Sequence, residues 1–98
     1  MGRKNISRIL VDKDLPFEEE IQDNTSLRTF SESVTDEDLM WHRDPEDRLV
    51  TPLHETNWLI QIDDELPQPF NKPIMIKKEK YHRLIKGDGN LNLKVKRL

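Results

Sequence analysis

Hydrophobic and polar residues alternate most cleanly near the end of the chain, where Leu91, Leu93 and Val95 are interleaved with Asn92, Lys94 and Lys96. A period of two puts one set on each face of an extended backbone, so this stretch predicts a half-buried closing strand. The same alternation marks Asn57–Asp63, with Trp58, Ile60 and Ile62 on one face. Shorter apolar runs predict strands at Ile6–Val11, Ser26–Ser31, Arg48–Leu53, Pro73–Ile76 and Tyr81–Ile85. Pro52 has no N–H to donate to a ladder, which predicts an edge or a bulge in its strand. Gly87-Asp88-Gly89-Asn90 is the strongest turn signal, and Asp36–Asp38 and Asp64–Pro69 also read as turns. Asp12–Asn24 is acidic and interrupted by Pro16, so it reads as a loop or arm, with one helical turn over Glu18–Ile21. About eight short strands with no long helix predict an all-β jelly roll or β-barrel. Residues 1–25 would form an N-terminal arm with a first strand, and residues 26–98 the barrel. No internal repeat stands out.

Composition narrows this picture. The chain has 98 residues, 34% of them hydrophobic and 36% charged, so its core must be thin. A two-layer β structure suits that balance because each strand needs only every second residue apolar. The absence of cysteine excludes disulfides, zinc–thiolate sites and thiol chemistry. No apolar run is long enough to cross a membrane, and the basic start lacks the apolar stretch of a secretory signal, so a cytoplasmic location is expected. The net charge of −3 conceals an asymmetry: Asp12–Glu65 holds seventeen acidic and four basic residues, and Lys72–Arg97 nine basic and two acidic. Halves of opposite sign can attract each other within one fold or face different partners. The basic half lacks the aromatic platforms of a single-strand binder, which argues against nucleic acid.

The chemistry concentrates in two segments, Trp41-His42-Arg43-Asp44-Pro45-Glu46-Asp47-Arg48 and Tyr81-His82-Arg83-Leu84-Ile85-Lys86-Gly87. His42 and Asp44 lie two apart, hence on one face of an extended chain, and a second strand carrying His82 could meet them. Two imidazoles and a carboxylate form the donor set of an open divalent site for iron, manganese, nickel or zinc. Arg48 complicates that reading, since a guanidinium is never a ligand. It could hold a substrate acid beside a metal, pair with Asp44, or join His42 and His82 in a metal-free pocket for a small anion. His54 lies in a turn and reads as solvated, whereas Trp41 and Trp58 read as core or wall residues. No phosphate-binding glycine loop, nucleophile elbow or Ser/His/Asp order is present.

Over residues 26–96 these motifs resemble the cupins, small jelly-roll barrels whose first motif holds His-x-His, a Glu and a Gly, and whose second holds a further His. His42 falls on the leading His, Asp44 on the second His, Arg48 on the Glu and His82 on the His of the second motif. Glu55 stands where a turn glycine is expected. Asn71, Lys77 and Glu79 replace the second motif's Gly, Pro and Gly, and Lys86 its Asn. Leu39–Asp44, Glu46–Arg48, Asp64–Pro67 and Tyr81–Gly87 also resemble short cupin-like proteins of tailed bacteriophages. The resemblance implies a re-purposed barrel: a non-enzymatic binding or accessory protein of the host cytoplasm, with His42, Asp44, Arg48 and His82 in its pocket. Two alternatives stand beside it. One, which the resemblance also implies, is a metal-dependent oxygenase or isomerase using His42, Asp44 and His82; the other, which follows from the acidic Asp12–Glu65 segment imitating a polyanion, is an acidic interaction protein that inhibits or redirects a host factor. A homodimer, a small anion and a host protein are the partners expected.

Overall fold

The computed structural model describes the backbone of Arg8–Val11 and all of residues 15–98. Nine strands run in order: β1 (Arg8–Val11), β2 (Phe17–Gln22), β3 (Thr25–Phe30), β4 (Arg48–Pro52), β5 (Leu59–Ile62), β6 (Gln68–Pro69), β7 (Ile74–Ile76), β8 (His82–Ile85) and β9 (Leu91–Arg97). Among the described residues there is no helix. The strands form two antiparallel sheets, one ordered β1-β2-β3-β9-β4-β7 and the other β6-β5-β8. The all-β expectation holds, with one refinement: the sheets stay separate and do not close into a continuous hydrogen-bonded barrel.

The alternation seen in the sequence is what builds the core. Leu91, Leu93 and Val95 of β9 turn inward with Phe30, Val50, Ile74 and Ile76. From the opposite sheet Ile60 and Ile62 meet them, with Trp58 and Phe70 from the flanking segments. Pro52 is neither on an edge strand nor in a bulge. It ends β4, beyond the last residue paired to β7, where no ladder asks for its missing N–H.

The acidic segment departs most from expectation. Residues 12–14 and the Ile6–Ser7 part of the first predicted strand lie outside the described residues. Glu18–Ile21 is not a helical turn; it lies in β2, paired with β1 on one side and β3 on the other. Pro16 precedes the strand and so does not interrupt it. The connection to β3 is the two-residue turn Asp23–Asn24, with Asp23 at φ 55°, a left-handed conformation that Asp tolerates. Three consecutive glutamates survive in a strand because one of them has cations to face. Glu19, buried on the inner side, pairs with Arg28 of β3 and lies 3.8 Å from Arg97 of β9.

Candidate functional site

Between β3 and β4 the chain runs without regular structure, yet it touches β8 at one point. His42 and His82 form an isolated antiparallel bridge, with His42 N–H donating to the His82 carbonyl at 3.0 Å and His82 N–H to the His42 carbonyl at 2.9 Å. The two imidazoles meet with ring centroids 4.2 Å apart. This register sets Trp41 opposite Arg83 and Arg43 opposite Tyr81. Each arginine stacks on the facing ring, Arg83 at 4.8 Å from the Trp41 centroid and Arg43 at 5.3 Å from that of Tyr81. The triplets Trp41-His42-Arg43 and Tyr81-His82-Arg83 are thus one pattern, aromatic-His-Arg, met head to tail. Its alternation turns the imidazoles to the site and leaves the two rings partly exposed, each with an arginine on it.

Asp44 is brought to the same point by the backbone. Its carbonyl accepts the Glu79 N–H at 2.7 Å, and the Asp47 carboxylate accepts the Lys78 N–H at 2.8 Å, docking the turn before β8 onto this loop. Glu79, at a glycine position of the cupin pattern, has φ 61° and so keeps the left-handed backbone a glycine would adopt there. Its carboxylate lies 3.2 Å from Arg43.

His42, Asp44 and His82 each offer a ligand atom, and these atoms lie within 4.8 Å of one another. Both imidazoles are held by the same device. Nδ1 of His42 lies 3.0 Å from the Met40 carbonyl and Nδ1 of His82 2.9 Å from that of Lys80, so Nδ1 carries a proton and, in the neutral ring, Nε2 is the atom with the lone pair. The Asp44 carboxylate divides its oxygens: Oδ2 faces His82 Nε2 at 3.4 Å, and Oδ1 faces Arg48 at 3.2 Å. Burial holds the His82 imidazole below its ordinary value, as do His42 and Arg48, against the Lys80 carbonyl and Asp44. His82 is therefore neutral at neutral pH, the state in which it can donate its lone pair.

Arg48 projects from the first residue of β4 with only 12% of its side chain exposed. Its Nε donates to Glu46 at 2.8 Å while a terminal nitrogen faces Asp44, so two carboxylates answer one guanidinium. With neutral imidazoles, the cluster formed by His42, Asp44, Glu46, Arg48 and His82 carries one net negative charge. The sequence reading missed Glu46 as the partner that turns Arg48 aside; its spacing of two from Arg48 was the available signal. The repeated aromatic-His-Arg triplet was also visible and not read as a repeat.

The other candidates sort simply. His54 is exposed, and both its nitrogens serve structure: Nδ1 lies 2.8 Å from the Glu55 carbonyl and Nε2 accepts the Asn92 N–H at 2.9 Å. Trp58 is fully buried, and its indole N–H donates to the Gly89 carbonyl at 3.0 Å. Trp41 is 40% exposed and belongs to the cavity wall rather than the core.

No protein-family model matches this sequence, and none of the curated proteins matches it. Solved structures do. FeII HppE superposes with a TM-score of 0.67 at 11% identity, over 100% of this chain and 59% of that one. Hydroxypropylphosphonic acid epoxidase from S. wedmorenis gives 0.64 at 13% identity, over 100% and 58%. An RmlC-like cupin with a double-stranded β-helix fold from Methanocaldococcus jannaschii gives 0.64 at 9% identity, over 99% and 92%. The fold is therefore that of the cupins, and this chain spans about three-fifths of the length of the first two proteins.

Proposed function

We propose that this cupin-fold chain binds a divalent transition-metal cation through His42 Nε2, Asp44 Oδ2 and His82 Nε2, and presents it to a small organic ligand. The observation that carries this reading is the double fixing of the imidazoles. Each Nδ1–H is taken by a backbone carbonyl two residues earlier, which leaves both Nε2 lone pairs beside a carboxylate oxygen. Outer partners that fix tautomer and ring orientation in this way are characteristic of metal-binding histidines. Electrostatics agree. Arg48, standing where the cupin pattern has a Glu, is turned toward Glu46 and the far oxygen of Asp44, and the cluster retains a net negative charge. Two imidazoles and one carboxylate suit iron, manganese, nickel or zinc. A cation held there would act as a Lewis acid toward an oxygen-bearing ligand. The similarity to FeII HppE is consistent with this reading.

The test is metal content of untagged protein, followed by calorimetric titration with Mn2+. Stoichiometric binding that weakens at least ~100-fold in His42→Ala and in His82→Ala is the expected result. The Arg48–Asp44 contact also supports a second reading, a metal-free polar cluster with a purely binding role. Metal-free protein whose response to Mn2+ is the same in wild type and both variants would establish that reading instead.

A further inference from the structure

Outside the triad, and continuous with it at His42 and Asp44, lies a cavity of about 460 Å³. That is within the range of small-molecule pockets, roughly 300–1,000 Å³. Its wall is mainly apolar, with Phe17, Phe30, Leu39, Met40, Trp41 and Leu84 contributing. The ionic groups in that wall already have partners. Arg28 is bonded to Glu19 and lies over the Phe17 ring at 4.3 Å. Arg48 is answered by Glu46 and Asp44. Asp38 accepts from the N–H and hydroxyl of Thr35, both at 3.0 Å. Among the described residues, a polyanionic ligand such as a sugar phosphate would find no unpaired cation along this wall. At the inner end the balance reverses: a divalent cation beside Arg48, Asp44 and Glu46 would leave one net positive charge.

We infer that the ligand of this site is an apolar monocarboxylate, its carboxylate at the triad and its alkyl or aryl body against Leu39, Met40 and Trp41. The inference rests on the metal reading for the carboxylate end and on the cavity alone for the body. Each methylene buried in such a wall tightens binding about three- to four-fold. Octanoate is therefore expected to bind at least about 100-fold more tightly than acetate to the full chain with Mn2+.

Calorimetry with sodium octanoate and sodium acetate, in Mn2+ and in EDTA, tests both halves, with Trp41 fluorescence as a second readout. Leu15→Ser, at a further wall residue 43% exposed on the cavity rim and uncharged in both forms, should weaken octanoate about five-fold and leave Mn2+ affinity unchanged. Mn2+ binding with equal affinities for octanoate and acetate would overturn the inference while the metal reading stood. Octanoate binding equally well in Mn2+ and in EDTA would overturn the placement of its carboxylate. If Mn2+ also failed to bind, the metal reading would fall with that placement, and a chain-length preference would then belong to the cavity alone.

Discussion

The two ends of this sandwich are joined by the same strands and built on opposite principles. β5 and β8 run through both, pairing Leu59 with Ile85 toward one end and Ile62 with His82 toward the other. At the first end Trp58, Phe70 and Leu91 are excluded from water. Asn57 and Asp88 clasp there by two hydrogen bonds, at 2.9 and 2.7 Å. Gly87 passes so close that a Cβ would sit 2.3 Å from Asn57 Oδ1 and 2.6 Å from Trp58 N, which only a glycine allows. At the second end β8 delivers the His82 imidazole to two carboxylates of the β3–β4 segment, Asp44 and Glu46, and to the Arg48 guanidinium of β4, each held by named polar partners. Stability thus comes from packing at one end, while the other end can carry costly polar groups because each is specifically partnered.

The largest perturbation should confirm that division. Trp58→Ala removes a fully buried side chain and is expected to destabilise the fold by ~3–5 kcal/mol, read from urea denaturation. The Mn2+ affinity of the protein that remains folded should not change. A parallel loss of affinity would show that the two ends are not separable.

Arg48→Met comes next, since it leaves Asp44 and Glu46 facing each other without their cation. The expected loss is ~1–3 kcal/mol in EDTA, shrinking when Mn2+ supplies a positive charge to Asp44. An equal loss in both conditions would mean that Arg48 and the metal do not share that carboxylate. The outer clasp should matter less. Trp41→Ala removes one of two exposed cation–π contacts, worth ~0.5–1 kcal/mol, and should speed amide exchange at His42 and His82. Unchanged exchange at those amides would show that the clasp does not hold the bridge.

The gentlest test is a proton on Asp38, at the turn that carries Leu39 and Met40 into the cavity wall. The Thr35 N–H, and then its hydroxyl, hold the Asp38 carboxyl below its ordinary value of 3.8. Between that lowered value and 3.8 the unfolded chain binds the proton that the folded chain refuses. The contribution of this group is therefore complete above about 3.8 and is lost as pH falls through the lowered value. Asp38→Ala should flatten that part of the acid dependence, measured as urea midpoints across the carboxylate range.

How much of this was legible in the residues depends on how far apart the interacting groups lie. The inward faces of β5 and β9 could be read directly, because alternation is a local property and burying one face leaves a strand no other choice. His42, Asp44 and His82 could be named as a set, since two residues of spacing and a second histidine sufficed. β2 could not be read, because three glutamates and a nearby proline give local signals of a loop. What makes it a strand is Arg28 and Arg97, reaching Glu19 from β3 and β9. The direction of Arg48 was half legible: pairing with Asp44 stood among its readings, but Glu46 as its second carboxylate depends on how a loop and β4 place two acids around one guanidinium. Local pattern decided which side chains could face inward and which chemistry was present. Pairing between distant strands decided which groups meet: His42 with His82, each arginine with the other strand's ring, and an apolar cavity opening onto the triad. Those contacts join segments about forty residues apart, and their energies exist only once the sheets have formed.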